Sequence, residues 1–463
     1  MYKPDLQTAK ALAGEYGVIP IVRTVPTAGG TPAEVFRILK KLSRQCFILE
    51  SAEDAARYGR YTFLGYDPKS EITYENGRMR IRNGADHSFE TRDAAAHIQR
   101  ILADNKSPRF DWLPPFAGGL VGYFSYEYIK HAEPSLKLEA EDTEHFKDLD
   151  LMLFDKVIAF DHLEDRILLI ANMRTDAPEE NYNRAVSELE HMRRILENGA
   201  PAVLPPLRLL SPFRGLFDEA RYCEMVRRAK AYIRDGDIFQ VVLSNRLDAE
   251  AEGSLFDTYR ILRETNPSPY MFCFSSDDIE IAGAAPETLV KVTGDTVTTF
   301  PLAGTRPRGA SEAEDLEMER SLLRDPKELA EHNMLVDLGR NDIGRISRFG
   351  SVRVEKYLTV ERFSHVMHIG STVTGRLAEG KGALDAVGAL LPAGTLSGAP
   401  KLRACEIINE LEGTGRGIYG GAIGYIAFTG DMDTCIAIRL AFKKNGRVFI
   451  RSGAGIVADS VPE

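Results

Sequence analysis

Pro392-Ala393-Gly394-Thr395-Leu396-Ser397-Gly398-Ala399-Pro400-Lys401-Leu402-Arg403 reads as a loop handing over to a helix. From Ala399 to Leu411 the apolar residues Leu402, Cys405, Ile408 and Leu411 recur at helical spacing, with Pro400 tolerated in the first turn. Gly394 and Gly398 let the backbone approach a ligand, and the amides at a helix start point free N–H groups at it. Such a loop suits an anion, with Thr395 or Ser397 adding a hydroxyl. The same residues also fit a tight turn capped by Ser397, and alone they do not separate the two.

Outward from that loop, 463 residues with 44% hydrophobic content suffice for a large core in one unit or two coupled ones. A net charge of −10 gives a nucleic-acid role little electrostatic support. No long apolar run predicts a membrane span, and Met1-Tyr2-Lys3-Pro4-Asp5 lacks the apolar core of a signal peptide. Cys46, Cys223, Cys273, Cys405 and Cys435 are scattered, which predicts reduced, buried thiols in a cytoplasmic protein.

The first 200 residues read as strands with helices interspersed. Pro32–Leu42 is an amphipathic helix capped by Thr31, and Cys46–Leu49 is a short strand ending on Glu50-Ser51. Arg60–Tyr66, Glu71–Tyr74 and Arg78–Arg82 are strands, the last two joined across Asn76-Gly77. A helix near Arg92–Ala103, a strand over Ala117–Tyr128 and a long hairpin of Leu149–Phe160 with Asp165–Ala171 follow, then a charged helix over Glu179–Leu196. No regular strand–helix–strand beat appears, so the expectation is an antiparallel α+β arrangement. Asn198–Gly215, with four prolines and no periodicity, is the candidate boundary between residues 1–200 and 216–463.

In the second part, Asp218 caps a helix to Arg234, and Ile238–Leu247 is a strand carrying Gln240. Asp325-Pro326 opens a helix on which Glu328 and Glu331 stand i, i+3, so both carboxylates share a face. Two such acids suit Mg²⁺, but spacing alone favours a solvated first turn stabilised by the helix dipole. His365 and His368 lie in a stretch that alternates like a strand, which sends their rings to opposite faces. Gly417–Ala427 and Thr434–Phe442 are further strands. Ser452–Ala458 matches the dinucleotide glycine pattern, but too little sequence follows for a helix and second strand, so an anion-holding backbone nest is the better reading.

These stretches together resemble the chorismate-utilising enzymes, most closely the large components of anthranilate synthases. The resemblance spans nearly the whole chain. It rests on Glu50-Ser51, Asn266–Phe272, Ala285-Pro286-Glu287, Pro301–Gly309, Glu331–Asp342, His365–His368, Pro392–Arg403, Tyr419–Tyr425 and Asp433–Arg439. It implies two stacked antiparallel β-sheets, a sandwich, surrounded by helices. It further implies that chorismate binds through Mg²⁺ on Glu331, with Glu328 nearby, and that Thr395, Gly304 and Thr305 line the ring. Arg439, Tyr419 and the amides around Gly453 and Gly455 would take the pyruvyl carboxylate. Glu287 would protonate the departing C4 hydroxyl while ammonia attacks C2, and His368 would remove the C2 proton so that pyruvate leaves.

Two positions sort the relatives. Isochorismate and salicylate synthases resemble this chain but carry a lysine where Gln240 stands, because water must be deprotonated and ammonia need not be. Aminodeoxychorismate synthase large components, the nearest enzymatic alternative, carry a nucleophilic lysine where Ala303 stands. The other alternative is a catalytically impaired tryptophan-binding subunit, against which intact Glu287, His368 and Arg439 speak. Glu50, Ser51, Pro269, Tyr270 and Met271 resemble the family's L-tryptophan feedback pocket. The resemblance also implies a separate glutamine amidotransferase small subunit, in a heterotetramer, as the ammonia source. Family members continue past Asp459–Glu463 into a helix bearing another Mg²⁺ ligand, so the metal site expected from this sequence is incomplete.

Overall fold

The computed structural model describes residues 2–27, 30–51, 59–363 and 366–463. Among them, two antiparallel sheets stack face to face, with helices over both outer faces, as the α+β expectation has it. The first sheet runs from Val18–Pro26 through Arg166–Arg174, Lys156–Asp161, Tyr61–Tyr66 and Cys46–Glu50 to Tyr270–Ser275, Ile279–Ala285, Leu440–Lys444, Arg447–Ile456 and Gln240–Glu252. The second runs from Leu302–Pro307 through Val366–Arg376, Thr296–Thr299, Thr288–Thr293, Met432–Ile436 and Ala422–Ala427 to Gly119–Phe124, Leu149–Phe154 and Ser70–Glu75. Each part of the chain gives a block of strands to each sheet. The blocks join where Glu50 pairs with Met271 and where Phe124 pairs with Ala422.

Alternation along the strands builds three layers of core. In Tyr270–Ser275, Phe272 and Phe274 point between the sheets, onto Phe47, Phe154 and Phe442. Met271 and Cys273 point outward, beneath helices Pro32–Leu42, Pro178–Asn198 and Phe256–Thr265. Helices Ala94–Asp104, Pro326–Gly344 and Ala383–Leu390 cover the outer face of the second sheet. All five cysteines are buried and free, as expected. No helix among the described residues is long and apolar enough to cross a membrane.

Several expected strands are corrected. Leu149–Phe160 is two strands that belong to different sheets: the chain crosses at Asp155, whose carbonyl accepts from Asn172 Nδ2 at 3.1 Å. Thr434–Phe442 divides likewise, crossing between Met432–Ile436 and Leu440–Lys444 with Arg439 at a φ of +51°. Both runs are buried on both sides, so their apolar pattern carries no mark of the sheet change. The strand at Ala117–Tyr128 ends at Phe124 and turns into a single 3₁₀ turn, Tyr126–Tyr128, while Gly417–Ala427 is extended only over Ala422–Ala427. Segment 198–215, the candidate boundary, carries two short strands, Arg208–Leu209 and Arg214–Gly215, that pair with Gln240–Glu252.

The opening loop is also built differently from expectation. Its helix starts at Lys401, after a two-residue strand, Gly398–Ala399, that pairs with Gln240 and Val241. A Cβ on Gly398 would lie 2.1 Å from the Gln240 carbonyl oxygen, so this glycine admits a neighbouring strand, not a ligand. Ser397 caps nothing; its hydroxyl donates to the Ala393 carbonyl at 2.8 Å.

A buried ion cluster fixes the loop. Glu412, at the end of helix Lys401–Glu412, accepts from Arg416 Nε at 3.0 Å, from Arg451 Nη2 at 2.6 Å and from the Ser244 amide at 2.8 Å. Arg416 also donates to the carbonyls of Leu396, at 2.6 Å, and Val242, at 2.7 Å. Burial opposes the charge on Glu412, but the two guanidiniums hold its carboxyl below the usual range. Glu412→Gln leaves two cations short of their counter-charge, a loss of about 3–5 kcal/mol for a broken buried pair. A clear drop in the urea midpoint is expected, and an unchanged midpoint would contradict this account.

Candidate active site

Glu287 lies between strands Ile279–Ala285 and Thr288–Thr293, beside a β-bulge at Thr288 and Val290. Its carboxylate oxygen Oε2 accepts from Thr395 Oγ1 at 3.1 Å, which brings the 3₁₀ turn Gly394–Leu396 onto it. The two line a cleft with Pro301, Leu302, Leu335 and Ile436. Burial raises the Glu287 carboxyl to about 7, against the Thr395 hydrogen bond and the charge of Arg439, both of which lower it. A carboxyl that holds its proton near neutrality is equipped to act as a general acid.

His368 sits in strand Val366–Arg376 opposite Thr305, next to an irregularity in the pairing at Gly304. Its Nδ1 lies 2.9 Å from the Gly304 carbonyl and 3.1 Å from Thr305 Oγ1. A carbonyl only accepts, so Nδ1 carries the proton and Nε2 is the basic nitrogen. Burial lowers the affinity of this ring for a second proton, the Gly304 carbonyl raises it and Arg439 lowers it. The exposed Arg439 therefore exerts its charge on both the candidate acid and the candidate base. His365 lies outside the described residues.

Gly304 adopts a φ of +72°, and a Cβ on it would stand 3.2 Å from Glu328 Oε2. This close approach links the carbonyl that orients His368 to the helix Pro326–Gly344, which carries Glu328 and Glu331 one turn apart. Burial and then the negative charge of Glu328 push the Glu331 carboxyl up, while Lys327 lowers it. Two half-buried acids that repel each other fit a hard divalent cation that completes its shell with substrate and water. No group of three or more His, Cys, Asp and Glu suited to a metal occurs among the described residues. Arg306, not singled out by sequence, meets Asp325 at 2.7 Å and Glu328 at 3.5 Å, and so holds this helix start against the Gly304 strand.

Gln240 and Gly455 lie against each other, as do Tyr419 and Gly453. A Cβ on Gly455 would lie 3.0 Å from Gln240 Nε2, and one on Gly453 would lie 3.0 Å from the Tyr419 hydroxyl. Both glycines are extended within strand Arg447–Ile456, so the expected backbone nest is corrected to a strand edge. Gln240 Oε1 is buried and meets no donor among the described residues.

Glu50, Ser51, Pro269, Tyr270 and Met271 come together in a second cavity with Phe272 and Asp433. Glu50 Oε1 accepts from Arg263 Nε at 2.8 Å and from the Tyr259 hydroxyl.

The raised Glu287 carboxyl has a cost that can be measured. A carboxyl that binds its proton more tightly in the folded chain stabilises the fold below about pH 4.5, and that contribution is lost as pH rises to about 7. Glu287→Gln keeps the acceptor for Thr395 and removes the charge. It should raise stability at pH 8 by up to about 3 kcal/mol, at about 1.4 kcal/mol per unit, and change little at pH 4. Melting curves at the two pH values test this, and equal shifts at both would contradict the assignment.

A family model described as chorismate binding enzyme matches residues 44–463. Anthranilate synthase component 1 of Acetivibrio thermocellus is 43% identical, over 100% of this chain and 95% of that protein. The Pseudomonas aeruginosa protein of that name is 42% identical, over 97% and 93%. The solved structure of anthranilate synthase component I from Streptococcus pneumoniae superposes with a TM-score of 0.77 at 41% identity, covering 87% of this chain and 89% of that one. The menaquinone-specific isochorismate synthase of Escherichia coli shares the fold, with a TM-score of 0.70 at 17% identity over 99% and 94%. With its paired sheets, its cleft at Glu287 and this match over most of its length, the chain belongs to the family of chorismate-binding enzymes.

Proposed function

We propose that the chain is the large component of an anthranilate synthase, converting chorismate and ammonia to anthranilate and pyruvate. The observation that carries this reading is a buried carboxyl held by Thr395 at Glu287 together with an imidazole turned by the Gly304 carbonyl at His368, both within reach of the charge of Arg439. Ammonia forms its bond to C2 as the ring double bonds shift and the C4–O bond breaks. Glu287 hands its proton to the departing oxygen, which leaves as water, and the ammonium formed at C2 gives up a proton that restores the Glu287 carboxyl. His368 Nε2 then takes the proton on C2, the C3–O bond breaks, and the ring aromatises. The departing enol takes up a proton and becomes pyruvate.

The other residues position the substrate. Thr395, Gly304 and Thr305 line the ring; Arg439, Tyr419 and the Gly453–Gly455 edge take the pyruvyl carboxylate. Glu331 and Glu328 would hold Mg²⁺, which when bound neutralises the ring carboxylate. Gln240 and Ala303 favour ammonia at C2 over water or an enzyme amine. The resemblance of the chain to proteins called component 1 supports an amidotransferase partner that supplies ammonia, and the reading places the enzyme in the cytoplasm. The cavity at Glu50, Ser51, Pro269, Tyr270 and Met271 is read as the L-tryptophan feedback site. Residues 1–200 give its Glu50–Ser51 side, and residues 216–463 hold the chorismate site.

Incubation with chorismate, Mg²⁺ and ammonium at alkaline pH should give anthranilate fluorescence and pyruvate. Accumulation of 4-amino-4-deoxychorismate or isochorismate would overturn the reading. Ser51→Phe should abolish tryptophan binding in calorimetry and leave turnover without tryptophan within about twofold, since binding and chemistry are separate sites with a coupling of ~1–3 kcal/mol. Unchanged tryptophan binding in that variant would place the effector site elsewhere.

A further inference from the structure

Glu287 and Thr288 are chain neighbours that face opposite sides of the second sheet. Thr288 pairs with Cys435, which packs between the sheets, whereas the Glu287 carbonyl accepts from Ile436, whose side chain packs on the outer face. Cys435 lines the second cavity and Ile436 the cleft, which Thr288 also borders beside Glu287.

A directional hydrogen-bond chain ends on Thr288. The Tyr270 hydroxyl donates to Asp433 Oδ1 at 2.7 Å and lies 2.7 Å from Thr288 Oγ1. A phenol has one proton to give, so the Thr288 hydroxyl is the donor in the second contact. Asp433 Oδ2 in turn meets Lys291 Nζ at 3.3 Å. Tyr270 is thus both a wall of the second cavity and the anchor of the residue next to Glu287.

The anchor matters because this stretch is bulged. Thr288 pairs with Cys435 and Val290 with Thr434, so Leu289 is an extra residue and the local ladder is interrupted. Bulges re-aim side chains and remove ladder support from the residue left over. On the cleft side, the Ile436 amide at 3.0 Å and the Thr395 hydroxyl at 3.1 Å hold Glu287. On the other side, the Tyr270 contact holds Thr288. If that contact is released, the peptide between the two residues is held by the ladder alone, through the Ile436 amide, and a shift there carries the carboxyl away from Thr395.

We propose that Tyr270, through its hydroxyl contact with Thr288, is a positioning residue for Glu287 and the link by which a ligand in the second cavity reduces turnover. This rests on Glu287 being the general acid and on the cavity being the tryptophan site. A ligand that displaces the Tyr270 ring or competes for its hydroxyl loosens the bulge, and by reciprocity a correctly set Glu287 disfavours that ligand.

The test compares Thr288→Val, Thr288→Ser and Tyr270→Phe with the unmodified full chain, using chorismate, Mg²⁺ and ammonium. Val is isosteric and lacks the hydroxyl, whereas Ser keeps it. Thr288→Val and Tyr270→Phe should lower kcat by on the order of tenfold to a hundredfold, the scale of a misplaced catalytic group, with KM for chorismate within about twofold. Thr288→Ser should retain kcat within about twofold, which also guards against a folding artefact. Thr288 does not line the second cavity, so its Val variant should bind tryptophan as before in calorimetry while its residual activity responds less. Unchanged kcat in Thr288→Val, or equal loss in Ser and Val, overturns the positioning role. Full inhibition of Thr288→Val by tryptophan overturns the link. Failure of the unmodified chain to make anthranilate sinks the functional reading and this inference together. Absence of tryptophan binding removes only the regulatory half, because the kcat comparison still decides the positioning role.

Discussion

Glu412 and its two arginines are the tie on which the site depends. The fully buried Arg416 spans from Glu412 to the carbonyls of Leu396 and Val242, and Arg451 joins the same carboxylate to Ser244. One carboxylate thereby fixes the Gly394–Leu396 turn, the Gln240–Glu252 strand and the Arg447–Ile456 strand relative to one another. Those three segments carry Thr395, Gln240 and the Gly453–Gly455 edge, so these candidate site residues are set relative to one another by charges buried beneath them. A second buried pair, Lys401 to Asp342 at 2.7 Å, ties the next helix to the one bearing Glu331. Buried ions contribute little net stability, because desolvation offsets their attraction, but they penalise every arrangement in which they are unpaired. A site made from distant strands gains its single geometry from that penalty.

Within this frame, the candidate acid and base are set by what surrounds them more than by what they are. Glu287 is a carboxyl kept neutral by burial, and His368 is an imidazole kept unprotonated by burial and turned by the Gly304 carbonyl. Arg439 acts oppositely on the two tasks, easing ionisation of the acid while discouraging protonation of the base. The crossing from one sheet to the other that carries the exposed Arg439 is therefore an electrostatic feature as well as a topological one.

Much of this was legible from sequence. The helices at Pro32, Glu219 and Pro326 announce themselves by cap and period, and the long motifs around Glu287, His368 and Thr395 carry the fold by resemblance. Other features leave no local mark. Asp155 and Ala437 sit inside apolar runs that look continuous, since a chain that changes sheets stays buried throughout. Gly398 and Gly453 read as ligand glycines, yet the first is required by a neighbouring strand and the second lies in an extended edge beside Tyr419. Glu412 and Arg416 are four apart on the chain, a spacing that usually means an exposed helix pair, and only the tertiary structure shows them buried. Thr288 is silent in sequence because its role lies in what Tyr270 does across the sheets.

The shared sheets also bear on how such a chain is born. During synthesis, Cys46–Glu50 and Gly119–Phe124 leave the ribosome long before Tyr270–Ser275 and Ala422–Ala427, the strands they pair with. Until then each has an unpaired, apolar edge, the kind of template that recruits foreign strands. Contacts so distant along the chain are slow to close, and large proteins of this kind pass through exposed intermediates. The first part cannot finish alone, so its yield in a cell depends on protection during translation, and a pause in elongation after the segment at 198–215 prolongs its exposure.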